Sequence, residues 1–193
     1  ESIFGWLLNL HPNVLPIQID GATKEEYAGG LRVGFLTFGR GDDVMKGLET
    51  KMMGLIRANT SGASQLSQTL VLKAMDAPHY AAEKREKYDL LKGRALKVIA
   101  VVSHPLYADL WEVYPFNAGY FMCLRLRLAA AGALPSHCNA EAVRQRLLDD
   151  SGIGVIALGE TDLRIAYSCI EEGEIEEVFR AIAQAVIDVK RDA

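Results

Sequence analysis

Cysteine is scarce in this sequence, and its thiols are far apart. Cys123, Cys138 and Cys169 are the only three in 193 residues. Their odd number and wide spacing argue against a disulfide framework and against a cysteine metal site, and a reducing, cytoplasmic setting fits. Buried or half-buried thiols acting as small hydrophobes are the simplest reading. The histidines are few as well: His11, His79, His104 and His137 show no metal-ligand spacing, and none is given a role. Long apolar runs are missing, since nothing approaches the roughly 20 residues of a membrane-spanning helix. Nor is there a basic segment followed by an apolar run and a small-residue cleavage site. No membrane partner is expected. Positive charge is not in excess: the formal net charge is -4, in short mixed runs, so no nucleic-acid partner is expected. No P-loop, dinucleotide fingerprint, nucleophile elbow, internal repeat or low-complexity tract is found.

What the sequence does hold is apolar residues, half of the total, enough for a real core in one or two domains. They begin at once, with Ile3, Phe4, Trp6, Leu7, Leu8 and Leu10 behind Glu1. Natural starts tend to be polar and frayed, so the expectation is of a chain cut from something longer.

A short helix is expected near residues 2–10, ended by Pro12. Val14 to Ile19 alternates around Pro16 and predicts a strand with the proline at an edge or bulge. Asp20-Gly21 signals a turn, with Lys24 on irregular backbone behind it. Arg32 to Phe38 predicts a second strand. Asp42 and Asp43 suit a helix N-terminus, and that helix is expected to run to about Ala58, with a loop at 59–62. Another helix is expected over Ser64–Met75. Pro78 opens a long one, whose stripe of Tyr88, Leu91, Ala95, Val98 and Val102 faces inward with charges opposite. Such a helix could bridge two domains. Later come strands at Tyr120–Leu128, Gly154–Leu158 and Leu163–Ser168, a helix at Ala140–Leu148, and an amphipathic helix at Glu171–Val189 with Ile175, Val178, Phe179, Ile182, Val186 and Val189 on one face. This order predicts an α/β or α+β layered chain.

Chemistry concentrates in Gly21-Ala22-Thr23-Lys24 and Gly29-Gly30-Leu31-Arg32-Val33-Gly34. A lysine amine condenses with an aldehyde cofactor, and later shuttles a proton. A guanidinium offers a rigid fork matched to phosphate oxygens. Glycines on either side allow close backbone approach. On residues alone, a solvated lysine and arginine are the commoner reading of such a turn.

These segments resemble the class I/II, fold-type I, pyridoxal-phosphate-dependent aminotransferases. The shared pattern is a small residue before the lysine, a short variable stretch, then small residue, any residue, arginine, apolar residue and glycine. Tyr27 departs from it, as does Gly21, where many relatives have a phosphate-binding serine. Downstream, Leu163-Arg164-Ile165-Ala166-Tyr167-Ser168 resembles the strand whose arginine grips the substrate α-carboxylate. Asn117-Ala118-Gly119-Tyr120-Phe121 resembles the strand start whose aromatic ring faces the substrate, although a core aromatic fits Phe121 equally well. Arg57, before Thr60-Ser61-Gly62-Ala63, is similar to a dimer-interface arginine of the aspartate-type enzymes, and a solvated helix-end arginine is the simpler reading.

The resemblance covers essentially the whole chain and implies its C-terminal portion. The expected fold is α/β: the C-terminal part of the fold-type I large domain over residues 1–89, and the α+β small domain over 90–193. Lys24 is expected as the catalytic residue. Thr23, Lys24 and Arg32 would hold pyridoxal 5'-phosphate, and Arg164 would bind substrate. The implied reaction moves an amino group between an amino acid and a 2-oxo acid, in a cytoplasmic homodimer. The aromatic ring stacked on the cofactor and the aspartate at its pyridine nitrogen would lie upstream, so the isolated chain is expected to be inactive. A lyase, racemase or decarboxylase of the same fold stays open, as does a non-catalytic binding or dimerisation module of a regulator.

Overall fold

The computed structural model of the chain describes residues 2–39, 43–128 and 138–192. These pack as two compact units, Glu1–Lys84 and Arg85–Ala193.

The first unit opens with α1 (Phe4–Leu10), which buries none of its side chains; Trp6 is 75% exposed. Strand β1 (Ile17–Gly21) pairs antiparallel with β2 (Gly34–Phe38), with Ile17 opposite Phe38 and Gly21 opposite Gly34. The expected strand at Val14–Ile19 thus starts later. Pro16, lacking an N–H, lies ahead of the ladder and contributes its carbonyl to the Gly39 N–H at 3.0 Å. Gly39 is held to glycine by that approach, because a Cβ there would sit 2.5 Å from Pro16 Cγ and 2.6 Å from Leu8 Cδ2. The second strand also begins later than Arg32. Arg32 has φ 53°, a left-handed conformation that no strand residue adopts.

Between the strands lies α2 (Ala22–Glu25), where irregular backbone was expected. One helical turn forms because Ala22 is pinned. Its N–H donates to Val33 O at 3.0 Å, and its carbonyl accepts from Glu26 N–H at 3.2 Å and Ala28 N–H at 3.0 Å. Its side chain is fully buried with Val33 and Val71. A 3-10 turn at Gly29–Leu31 follows. Helix α3 (Asp43–Thr60) runs two residues past the expected end, through the start of the expected loop; Asp42 lies outside the described residues. In α4 (Gln65–Met75) the N-cap is Ser64, whose Oγ accepts from Ser67 N–H at 3.3 Å.

Helix α5 (Tyr80–Val102) begins in the first unit and continues into the second. Val98 and Val102 are buried as the stripe predicts. Tyr88 is exposed, with Arg85 and Lys92 over its ring at 5.3 and 5.8 Å. Arg94 is charged and yet only 8% exposed. Its guanidinium donates to Ser168 O at 2.5 Å and pairs with Glu171 at 2.7 Å, so its charge is satisfied inside the fold.

Among its described residues, the second unit joins the later part of α5 to a four-stranded antiparallel sheet in the order β3-β4-β6-β5 and to two further helices. Its strands are β3 (Trp111–Val113), β4 (Met122–Leu126), β5 (Ile156–Leu158) and β6 (Asp162–Ile165). Helix α6 (Ala140–Ser151) is N-capped by Asn139 Oδ1, which accepts from Ala142 N–H at 2.9 Å, and closes on Gly152 at φ 66°. Helix α7 (Ile175–Arg191) follows a 3-10 turn at Glu172–Glu174. Alternation decides the core. Met122, Leu124, Leu126, Leu163 and Ile165 point inward with Val143 and Leu147 of α6 and Ile175, Phe179, Ile182, Val186 and Val189 of α7. The intervening residues Cys123, Arg125, Asp162 and Arg164 take the opposite face. After Ile165 the expected strand gives way to a 3-10 turn at Tyr167–Cys169.

Among the described residues, no helix is long and apolar enough to cross a membrane, and no cluster of His, Cys, Asp and Glu could hold a metal ion. His137 lies outside them.

Candidate active-site residues

In the first unit, Thr23 and Lys24 ride on α2, and Arg32 follows the 3-10 turn. The left-handed backbone at Arg32 turns its side chain back across the loop. Its Nη1 donates to Thr23 Oγ1 at 3.3 Å and to Gly29 O at 3.2 Å. The structure thus brings Thr23 and Arg32 together, with Lys24 the next residue along the same turn. Lys24 and Arg32 are exposed and Thr23 is half-buried. The glycines here are not needed for chain packing. A Cβ at Gly30 would meet nothing within 4 Å, and one at Gly29 only Thr23 Cγ2 at 3.9 Å.

The C-terminal end of α2 is anchored from α5. Glu26 accepts a hydrogen bond from Tyr80 Oη at 2.5 Å and pairs with Lys84 Nζ at 2.8 Å, while Lys84 donates to Tyr80 Oη at 2.9 Å. Burial pushes the Glu26 carboxyl upward, but the hydrogen bonds from Lys84 and Tyr80 and the lysine's charge outweigh it and hold it below the usual range. The same contacts raise the Lys84 ammonium, its bond to Glu26 foremost.

In the second unit, Arg164 lies on β6 opposite Cys123 of β4 and Ile156 of β5. Its guanidinium sits over the Phe121 ring, 4.9 Å from the centroid. Its Nε is buried and has no hydrogen-bond partner among the described residues. Tyr167 ties down the chain just ahead of Phe121. Its hydroxyl donates to Gly119 O at 2.6 Å, and burial raises its phenol. Beside it Tyr114 donates to Asp162 Oδ2 at 2.8 Å, and Arg125 bonds Tyr114 and pairs with Asp162 at 3.5 Å.

Arg57 donates to Ser61 O at 2.7 Å and Ser61 Oγ at 3.2 Å, closing the end of α3. Sequence reasoning missed the Glu26–Tyr80–Lys84 cluster and the Arg94 contacts. The cluster joins residues 54 and 58 positions apart, which no local pattern reveals.

The model of the family described as aminotransferase class I and II matches residues 19–182. Among solved structures, an aminotransferase from Anaerococcus prevotii DSM 20548 superposes with TM-score 0.70 at 19% identity, over 91% of this chain and 40% of that one. An aminotransferase from Mycobacterium tuberculosis gives 0.68 at 18%, over 89% and 42%. LysN, the α-aminoadipate aminotransferase from Thermus thermophilus, complexed with N-(5'-phosphopyridoxyl)-L-leucine, gives 0.64 at 16%, over 86% and 40%. At such identities the likeness is one of fold, and the chain spans about two fifths of the length of these structures. No curated protein matches it. The family match, which takes in both the Lys24–Gly34 loop and the Arg164 strand, carries the assignment: this chain belongs to the class I and II aminotransferases.

Proposed function

We propose that this chain supplies the lysine, a phosphate-binding pair and a carboxylate-binding arginine to a pyridoxal-phosphate-dependent aminotransferase acting on an amino acid and a 2-oxo acid. The observation that carries the reading is the Arg32 guanidinium turned back onto Thr23 Oγ1, one residue from Lys24. The donor set fits a phosphorylated aldehyde. A guanidinium and a hydroxyl meet in one loop, the residue next to that hydroxyl carries a primary amine, and the space a Cβ at Gly30 would take is open. Pyridoxal 5'-phosphate, when bound, supplies the electron sink for the reaction. Arg32 and Thr23 would hold its phosphate. Lys24 Nζ would bind its aldehyde carbon and carry protons afterwards.

Arg164 would take the substrate α-carboxylate through its fork. The Phe121 ring against the guanidinium, and an Nε without a partner among the described residues, support that role, because the fork's bonding capacity is not used up there. Because the chain spans two fifths of the matched structures, the activity is proposed for a protein holding the fold's remaining parts as well. A cytoplasmic homodimer is its proposed form, as the resemblance implies. The test is borohydride reduction of the full-length protein with pyridoxal 5'-phosphate, followed by peptide mapping. Label on Lys24 is expected, and label on another lysine overturns the reading.

A further inference from the structure

The turn that carries Lys24 cannot hold itself. Helix α2 has four residues and no side-chain cap at its N-terminus. One hydrogen-bonded turn in isolation is unfavourable, since several backbone dihedrals are fixed for a single bond. Two anchors compensate. At the front, Ala22 is buried and tied through its own N–H and carbonyl. At the back, the Glu26 side chain is clasped by Tyr80 and Lys84. Lys24 sits between the anchors, exposed itself but on a backbone fixed at both ends. Glu26 is the helix's C-cap, and its N–H donates to Ala22 O. Side chain and backbone of one residue therefore tie the turn both to its own start and to α5.

We propose that Glu26 is a positioning residue for Lys24, holding the lysine's turn in register with Thr23 and Arg32 through its bridge to Tyr80 and Lys84; this rests on the functional reading above. Glu26 touches neither cofactor nor substrate in this scheme. It acts through the backbone of α2. Its carboxylate is suited to the task because it accepts two donors at once, one of them charged, and bonds to a charged partner are the stronger kind. An alanine here would free the end of the turn while leaving the lysine, threonine and arginine in place.

The test uses the full-length protein with Glu26→Ala, Glu26→Gln and Lys84→Met, read by hydrogen exchange and by borohydride trapping of pyridoxal 5'-phosphate. With Glu26→Ala, exchange over residues 22–28 is expected to speed up about tenfold, as for losing hydrogen bonds to a charged group. Exchange over residues 85–193 should stay unchanged. The rate of trapping on Lys24 should fall with the first of these. Glu26→Gln keeps the bulk but turns one of the two acceptor oxygens into an NH2 donor, so trapping should stay well below that of the unaltered protein; full recovery would show a merely space-filling role and overturn the inference. Should Glu26→Ala loosen the whole chain, Lys84→Met, which leaves Glu26 in place, is expected to slow trapping in the same direction. Unchanged trapping on Lys24 in both Glu26→Ala and Lys84→Met overturns the inference alone. Label on a different lysine in the unaltered protein overturns the functional reading, and this inference with it.

Discussion

The guanidinium of Arg164 lies over the ring of Phe121, 4.9 Å from its centroid, while its Nε is buried with no partner among the described residues. A lysine at this position keeps the charge but loses both the planar stacking and the two-point fork. If the proposed activity holds, Arg164→Lys is expected to lower kcat/KM of the full-length protein by an amount worth about 2–4 kcal/mol in barrier height, as for truncating a charged hydrogen-bond partner. The loss should be the same for every amino acid tried, because the α-carboxylate is common to them. Steady-state kinetics over a substrate series check this. A loss confined to one side-chain class would place Arg164 elsewhere in recognition.

Phe121→Leu removes the ring beside that guanidinium and keeps an apolar side chain. A cation–π contact at a partly exposed site is worth about 0.5–2 kcal/mol. The expected result is a rise in KM for amino acid and 2-oxo acid alike, smaller than the effect of Arg164→Lys. An unchanged KM would leave Phe121 as an ordinary aromatic at the strand start.

Amide protection should differ between the two units. In the first, buried apolar residues gather as Ala22, Val33 and Val71, and Ile19 on β1 is 79% exposed. In the second, the sheet, α6 and α7 share one large core. Stability follows buried apolar area, and sparse cores open easily. Hydrogen exchange on the 193-residue chain is expected to be fast before residue 85 and slow after it. Uniform protection would contradict this.

Acid should loosen the turn that Glu26 anchors. A carboxylate whose folded pKa is depressed contributes stability above its ordinary value of 4.5 and loses it as pH falls through the folded value. Lys84 has the opposite sign: its contribution is complete below the ordinary 10.5 and fades above it. Since Lys84 is 43% exposed, solvent screening keeps the pair near about 1 kcal/mol or below. Glu26→Gln is expected to flatten the acid limb for residues 22–28, and exchange measured from neutral pH down to about pH 3 would detect it.

Tyr167→Phe should destabilise the second unit by about 1–2 kcal/mol, since it strips the Gly119 carbonyl of a buried donor. Thermal or denaturant unfolding of the chain measures it.

Much of this was legible in the sequence because it was periodic. The stripe from Ile175 to Val189 and the alternation over Met122–Leu126 each follow a period that a buried face imposes. The losses have separate causes. Trp111–Val113 is too short to show alternation. Arg94 drew no expectation of its own, because nothing local shows that a carbonyl and a carboxylate await it. Arg32 read as strand because its neighbours are strand formers, whereas its backbone is left-handed. The lysine and arginine of the candidate site were legible as residue types at a spacing, but the clasp on Glu26 depends on long-range packing.

The left-handed backbone at Tyr27 and Arg32, with φ 55° and 53°, has a consequence for how this loop would evolve. Such a conformation costs an L-residue about 1–2 kcal/mol that glycine avoids. Selection for heat resistance alone would therefore drift toward glycine at both positions. At 32 that gain would delete the guanidinium beside Thr23, so the most readily stabilised loop would also be the one least able to hold a phosphate. Under the role proposed for Arg32, thermal tolerance and phosphate affinity would be set against each other at a single Cα, and a survey of variants at residue 32 should find no substitution that improves both.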